Sequence, residues 1–84
     1  MRFLVELYAP FATDLPEIDR RVRAAAEELA AEGALLRHQL SLLVPEDEMC
    51  LLLYEAASAE LALEASRRAG VVSERIVEAI EGIP

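Results

Sequence analysis

The stretch "LLRHQLSLLVPEDEMCLLLYEA", residues 35–56, decides how this chain folds. Two leucine-rich runs, 35–44 and 48–55, flank Pro45-Glu46-Asp47, the pattern of two strands joined by a short turn. The stretch also holds the chain's only histidine, His38, and its only cysteine, Cys50. Loop length decides which residues face each other. A three-residue loop at 45–47 pairs Leu42 with Cys50 and His38 with Tyr54, so that these four share a face with Leu40 and Leu52. A two- or four-residue loop places Cys50 opposite Leu43 and His38 opposite Glu55, on the other face. Even on a shared face, His38 and Cys50 stand about four residues apart along the strands, roughly 13 Å. That distance excludes a common metal within one chain and argues against a Cys–His nucleophilic pair, which needs hydrogen-bond contact.

Upstream, "RFLVELY" (2–8) alternates Phe3, Val5 and Leu7 against Leu4, Glu6 and Tyr8, as a strand does. After "APFATDLP", Thr13 or Asp14 can cap a helix that tolerates Pro16 in its first turn. Ile18, Val22, Ala25 and Leu29 then fall on one helical face, and Gly33 ends the segment. Downstream, Ser58 caps "AELALEASRRA", whose buried stripe is expected at Leu61, Ala65 and Ala69 before Gly70 closes it. "RIVEAIE" (75–81) reads as a fourth strand, with Ile76, Glu78 and Ile80 alternating against Val77 and Ala79.

The order is β-α-β-β-α-β. Right-handed crossovers turn it into a four-stranded antiparallel sheet with both helices on one face, an α+β ferredoxin-like domain over residues 1–84. Two helices cover only one face. Leucines alternate on both sides of these strands, so the second face is expected to meet a second copy, forming a dimeric α+β barrel with an enclosed space.

Composition supports association. The chain has 84 residues, of which 55% are hydrophobic. A domain this small buries only about 60–65% of its unfolded surface, so so many apolar side chains leave some uncovered. Sixteen acidic residues against eight basic ones give a net charge of −8. Such a balance repels phosphate backbones and anionic lipid, so neither nucleic acid nor membrane is an expected partner. A lone cysteine forms no intrachain disulfide, no run is long enough to span a bilayer, and Glu6 interrupts the one leader-like segment. The expected location is the cytoplasm.

Chemistry-bearing residues are few. Glu6 and Glu78 are carboxylates set into otherwise apolar strands, and a buried carboxylate needs a cation or an imidazole beside it. Imidazole with carboxylate oxygens suits nickel, zinc or cobalt. Glu6, His38 and Glu78 are therefore the candidate metal ligands, with Tyr54 and Cys50 as candidate pocket residues. The bland alternatives are a hydrogen-bonded structural histidine, a cysteine packed as a small hydrophobe, and solvated strand-edge carboxylates. No glycine-rich phosphate loop, CxxC, HxxxH or GxSxG is present.

"RFLVE" (2–6), the hairpin spacing of His38, Glu46-Asp47, Cys50, Tyr54, Glu55 and Ala56, and "SAELALEASRRAG…SERIVE" (58–78) together resemble a family of small bacterial proteins. That family is typified by a nickel-binding, nickel-responsive ferredoxin-like dimer. The resemblance implies a homodimer and divalent-metal binding, with Glu6, His38, Cys50, Tyr54 and Glu78 at matching positions. The chain departs from the pattern at Leu36 and Leu40, where aromatic residues are usual, and at Ala57 and Val71-Val72, where prolines are. A single histidine also precludes a multi-histidine site within one subunit. The functional expectation is a small non-enzymatic protein that binds a divalent metal, nickel by resemblance, at the open sheet face or dimer interface. The alternatives are a cofactor-free dimeric barrel enzyme of monooxygenase or isomerase type, with His38 as base and Tyr54 as donor, and a protein-interaction module.

Overall fold

Period-two alternation in residues 2–8 produces an interior strand, β1 (Arg2–Tyr8), with Phe3, Val5 and Leu7 buried beneath the helices. The computed structural model describes residues 1–82; Ile83 and Pro84, the end of the domain read over 1–84, lie outside the described residues. After β1 come α1 (Leu15–Ala31), β2 (Leu36–Val44), a short 3-10 turn at Pro45–Asp47, β3 (Met49–Ala56), α2 (Ala59–Arg68) and β4 (Ser73–Ala79). The sheet is antiparallel with strand order β2-β3-β1-β4, the ferredoxin-like arrangement. No helix among the described residues is long and apolar enough to cross a membrane.

The helix ends follow local chemistry. Of the two candidate caps, Asp14 is used: its carboxylate accepts the Glu17 amide N–H at 3.1 Å, and Pro16 sits in the first turn where no amide hydrogen is needed. Ser58 caps α2 through the Leu61 amide. Gly33 and Gly70 follow the two helices with φ of +99° and +77°, a conformation that a Cβ would strain. The helices are then tied to each other by Arg68, whose guanidinium meets Glu28, Glu32 and Glu64 at 2.7–2.9 Å. Between Arg67 and Arg68, the Glu64 carboxyl is held down at about 2.

One boundary and one buried face differ from the sequence expectation. The fourth strand runs from Ser73 to Ala79 rather than over 75–81, because pairing with β1 begins at Ser73 opposite Leu7 and stops at Ala79 opposite Arg2. In α2 the buried face is Ala62, Ala65, Ser66 and Ala69, with Leu61 only half-buried. Small side chains there let the helix lie close to the sheet, and a serine joins the stripe because its hydroxyl bonds back to the Ala62 carbonyl at 3.0 Å.

The hairpin register combines both sequence alternatives. Near the turn Val44 pairs with Met49, Leu43 with Cys50 and Leu42 with Leu51, the register of a four-residue loop. Beyond a one-residue shift between His38 and Leu40, His38 pairs with Tyr54, as the three-residue loop would require. Gln39 is the extra residue. Such a bulge turns the strand's facing by one position, so His38 and Ser41, three apart, both point toward the helices. Rows therefore run across the helix-facing side as His38–Tyr54–Phe3–Glu78, Ser41–Leu52–Val5–Ile76 and Leu43–Cys50–Leu7–Ser73. The other side presents Leu4, Glu6, Leu40, Leu42, Leu51, Leu53 and Val77, with no helix or strand of the described residues above them.

The two faces differ in what they contribute to folding. Leu52 is fully buried in the helix-covered core, whereas Leu42 on the open side is 51% exposed. Leu52→Ala should cost about 2–5 kcal/mol in urea unfolding. Leu42→Ala, measured on dilute protein, should stay within about 0.5 kcal/mol. Equal losses would mean that the open side is not open.

Candidate functional site

The polar groups that the fold brings together lie under the helices. His38 sits on β2 with its side chain 1% exposed. Its Nε2 is 3.0 Å from Ser41 Oγ, and Ser41 Oγ donates to Asp19 Oδ1 of α1 at 2.7 Å. The serine has one hydrogen and gives it to the carboxylate, so Nε2 must carry a proton and donate to the serine oxygen. The relay is thus Nε2–H to Ser41 Oγ–H to Asp19. Asp19 also accepts from Arg23 at 3.3 Å, and lies 3.8 Å from Nε2 itself. The Ser41 bond is the main reason its carboxyl is held below the usual range, with Arg23 and His38 adding to it against burial.

The ring also packs in a T-shaped arrangement against Tyr54 on β3, with centroids 5.6 Å apart at 70°. Tyr54 is itself fully buried, and its hydroxyl lies 3.2 Å from Ser66 Oγ on α2. Burial pushes the phenol up despite that hydrogen bond. A line of polar and aromatic groups therefore crosses the core from α1 through β2 and β3 to α2. Only His38 Nδ1, among the buried side-chain nitrogens and oxygens of the described residues, has no hydrogen-bond partner.

This arrangement separates the candidate metal ligands. Glu6 points to the open side, opposite His38, and its carboxylate is paired with Arg75 at 3.0 Å. Glu78 shares the helix-facing row with His38, but Tyr54 and Phe3 stand between them, a span of three strand spacings or about 14 Å. The physical reason is the bulge together with the strand order, neither of which periodicity reveals. No group of three or more His, Cys, Asp or Glu side chains able to hold a metal ion occurs among the described residues. The ligand set expected from the sequence thus does not assemble within one chain.

The candidate pocket residues are likewise in the core. Cys50 is fully buried, with its thiol pushed up chiefly by burial, and Tyr54 is sealed beneath α2. Neither lines the open face. Asp19, Ser41 and Ser66, which sequence reading passed over, are the residues that hold the histidine and tyrosine in place. A histidine and a serine three apart in a strand of period two was the signal available for the first pair; Asp19 and Ser66 carried none.

The open face holds a different set. Leu4, Leu51 and Leu53 on the two central strands meet Leu40, Leu42 and Val77 from the edges. Charged groups lie around them: Arg2 bonds Gln39 and Glu81, and Arg37 reaches Glu55 at 3.5 Å. Glu6 sits among the leucines with its side chain 19% exposed. Tyr8, at the strand's end, donates to Glu48 at 3.1 Å.

No protein-family model matches the chain, and no curated protein sequence does. Among solved structures, the chain is similar to SCO4226 from Streptomyces coelicolor A3(2), known from a crystal structure analysis, with a TM-score of 0.79 at 17% identity. The match covers 99% of this chain and 100% of that one, and it establishes a shared fold.

Ser41→Ala tests the relay. It leaves the Nε2 hydrogen without its acceptor and takes a donor from Asp19, so unfolding should become easier by about 1–3 kcal/mol. A change below about 0.5 kcal/mol in chemical denaturation would show that the three groups do not act together.

Proposed function

We propose that this chain is a non-enzymatic binding protein that works as a homodimer, its two subunits meeting through their open sheet faces around an enclosed ligand space. The observation that carries this reading is the apolar surface formed by Leu4, Leu40, Leu42, Leu51, Leu53 and Val77, spread over all four strands with none of the described residues packed above it as a helix or strand. A monomer leaves that area in water at a cost of about 25 cal/mol per Å². A second copy removes it, and the arginine–glutamate pairs around it suit a polar rim. Shallow hollows on this face, one of about 390 Å³ beside Arg2, Gln39, Leu40 and Leu53, would become the closed ends of the shared space. The acidic balance keeps nucleic acid and anionic membranes off the list of partners, and the unpaired thiol suits the cytoplasm.

Divalent metal is the second reading, and Glu6 is the observation that favours it. This carboxylate is half-enclosed by leucines, and its partner Arg75 is solvent-exposed and able to swing away. In a face-to-face dimer, Glu6 and its counterpart would be the acidic groups of the shared space. Nickel is singled out among divalent ions by the family resemblance alone. His38 has no part in this version, since it faces the helices with Nε2 already bonded. The barrel-enzyme alternative loses support on the same ground: His38 and Tyr54 point away from the space between the sheets.

Light scattering and calorimetry separate these readings. At micromolar concentration the protein should run at twice its monomer mass, and Leu42→Glu with Leu53→Glu should return it to a folded monomer; a wild-type monomer contradicts the main reading. If Ni²⁺ binds, Glu6→Ala should remove the heat of binding while His38→Ala retains it. Loss with His38→Ala in a folded protein would overturn the assignment of the site to the open face.

A further inference from the structure

The seam between α1 and β2 is built differently from the rest of the molecule. α1 rests mainly on β2, whereas α2 spreads over β1, β3 and β4. β2 is an edge strand, bonded to the sheet on one side only. Opening the seam while α2 and the other three strands stay in place also requires α1 to part from α2, where the pairs of Arg68 with Glu28 and Glu32 lie at the surface and contribute little. A cleft of about 370 Å³ already runs along the seam, with Arg23, Ala26 and Ala30 on the helix and Arg37 and His38 on the strand.

The histidine under this seam can take a proton at one atom only. Nε2–H is committed to Ser41, so an added proton must go to Nδ1, which is buried and has no partner among the described residues. The charged form would then be an imidazolium with an unbonded N–H inside a side chain 1% exposed. The groups around it are few. α1 brings Asp19, Arg23 and, at the cleft, Glu27; β2 brings Arg37, Ser41 and the Leu40 backbone. β3 brings Tyr54, uncharged at neutral pH, and α2 brings only Ser66, through Tyr54.

We propose that this seam is an acid-sensitive latch: uptake of one proton by His38 at Nδ1 favours a state in which α1 has parted from β2, exposing the cleft and the apolar stripe of α1, while the remaining sheet and α2 hold.

The sign follows from the surroundings. Burial, the largest influence, lowers the histidine's pKa; Asp19 opposes it, Arg23 adds to it, and the Leu40 backbone opposes it. The closed seam thus binds fewer protons than the open one below about pH 6.5, the ordinary histidine value. Stability of the closed state is complete above that value. It is lost as pH falls through it toward the lowered value of the closed state. With an open-state pKa near 6.5, the population of the open seam should rise up to about tenfold between pH 7.5 and pH 5.5.

Amide hydrogen exchange, corrected for its intrinsic pH dependence, reads this directly. The expected result is up to about tenfold more opening of α1 amides at pH 5.5 than at pH 7.5, with β1 and α2 unchanged. His38→Gln, which keeps a donor for Ser41, should remove the pH dependence. The single histidine also gives an unambiguous NMR titration, so the latch can be tested in Asp19→Asn if the glutamine variant does not fold. Removing that carboxylate should move the His38 titration still lower. The latch is overturned if His38 titrates at or above 6.5, if α1 protection is the same at both pH values, or if protection falls equally in every element. It is also overturned if the pH dependence survives His38→Gln.

Discussion

A single inserted residue in β2 organises this molecule. Gln39 breaks the two-residue period between His38 and Leu40, and the strand faces opposite ways by parity before and after it. Without the bulge, the pairing near the turn would carry His38 to the leucine-rich open face. With it, the imidazole comes under α1 and beside Tyr54, and Ser41 follows it to the same side. Asp19 can then reach both residues from the helix above. The relay, the buried histidine and the composition of the open face all depend on that shift.

The bulge also explains how much of the structure could be read in advance. The element order, both helix caps and the buried set Phe3, Val5 and Leu7 follow from periodicity and capping chemistry, which are local. Register is not local. The second half of β2 turns Leu40, Leu42 and Val44 to the open side and Ser41 and Leu43 to the core, so the more apolar set faces outward. A rule that sends the oilier side inward assigns this half-strand to the wrong face. Each loop length considered for the hairpin was correct for half of it, because each assumes an unbroken ladder. Glu6 and His38 were candidates for a common site on the strength of residue type, and strand facing separates them. Glu78 fails for a different reason: it shares a row with His38 but lies three strands away.

The sheet thus divides two kinds of chemistry. On its covered side, every buried side-chain nitrogen and oxygen among the described residues has a hydrogen-bond partner except one imidazole nitrogen, and the cysteine is packing. On its open side, leucines dominate and the charges are paired near the surface. The proposed binding of a second copy and a ligand would belong to the open side, and the proposed sensitivity to acid to the covered one. The two can vary independently, since a substitution at Glu6 or Leu42 leaves the relay of Asp19, Ser41 and His38 intact.

The facing of His38 is the claim from which the others descend, and the single histidine makes it directly measurable. In a nuclear Overhauser spectrum of the wild-type protein at neutral pH, the His38 ring protons should show cross-peaks to the Tyr54 ring and to the Ala26 methyl of α1. Cross-peaks to Leu51 or Leu53 instead would place the ring on the open face and contradict the bulged register.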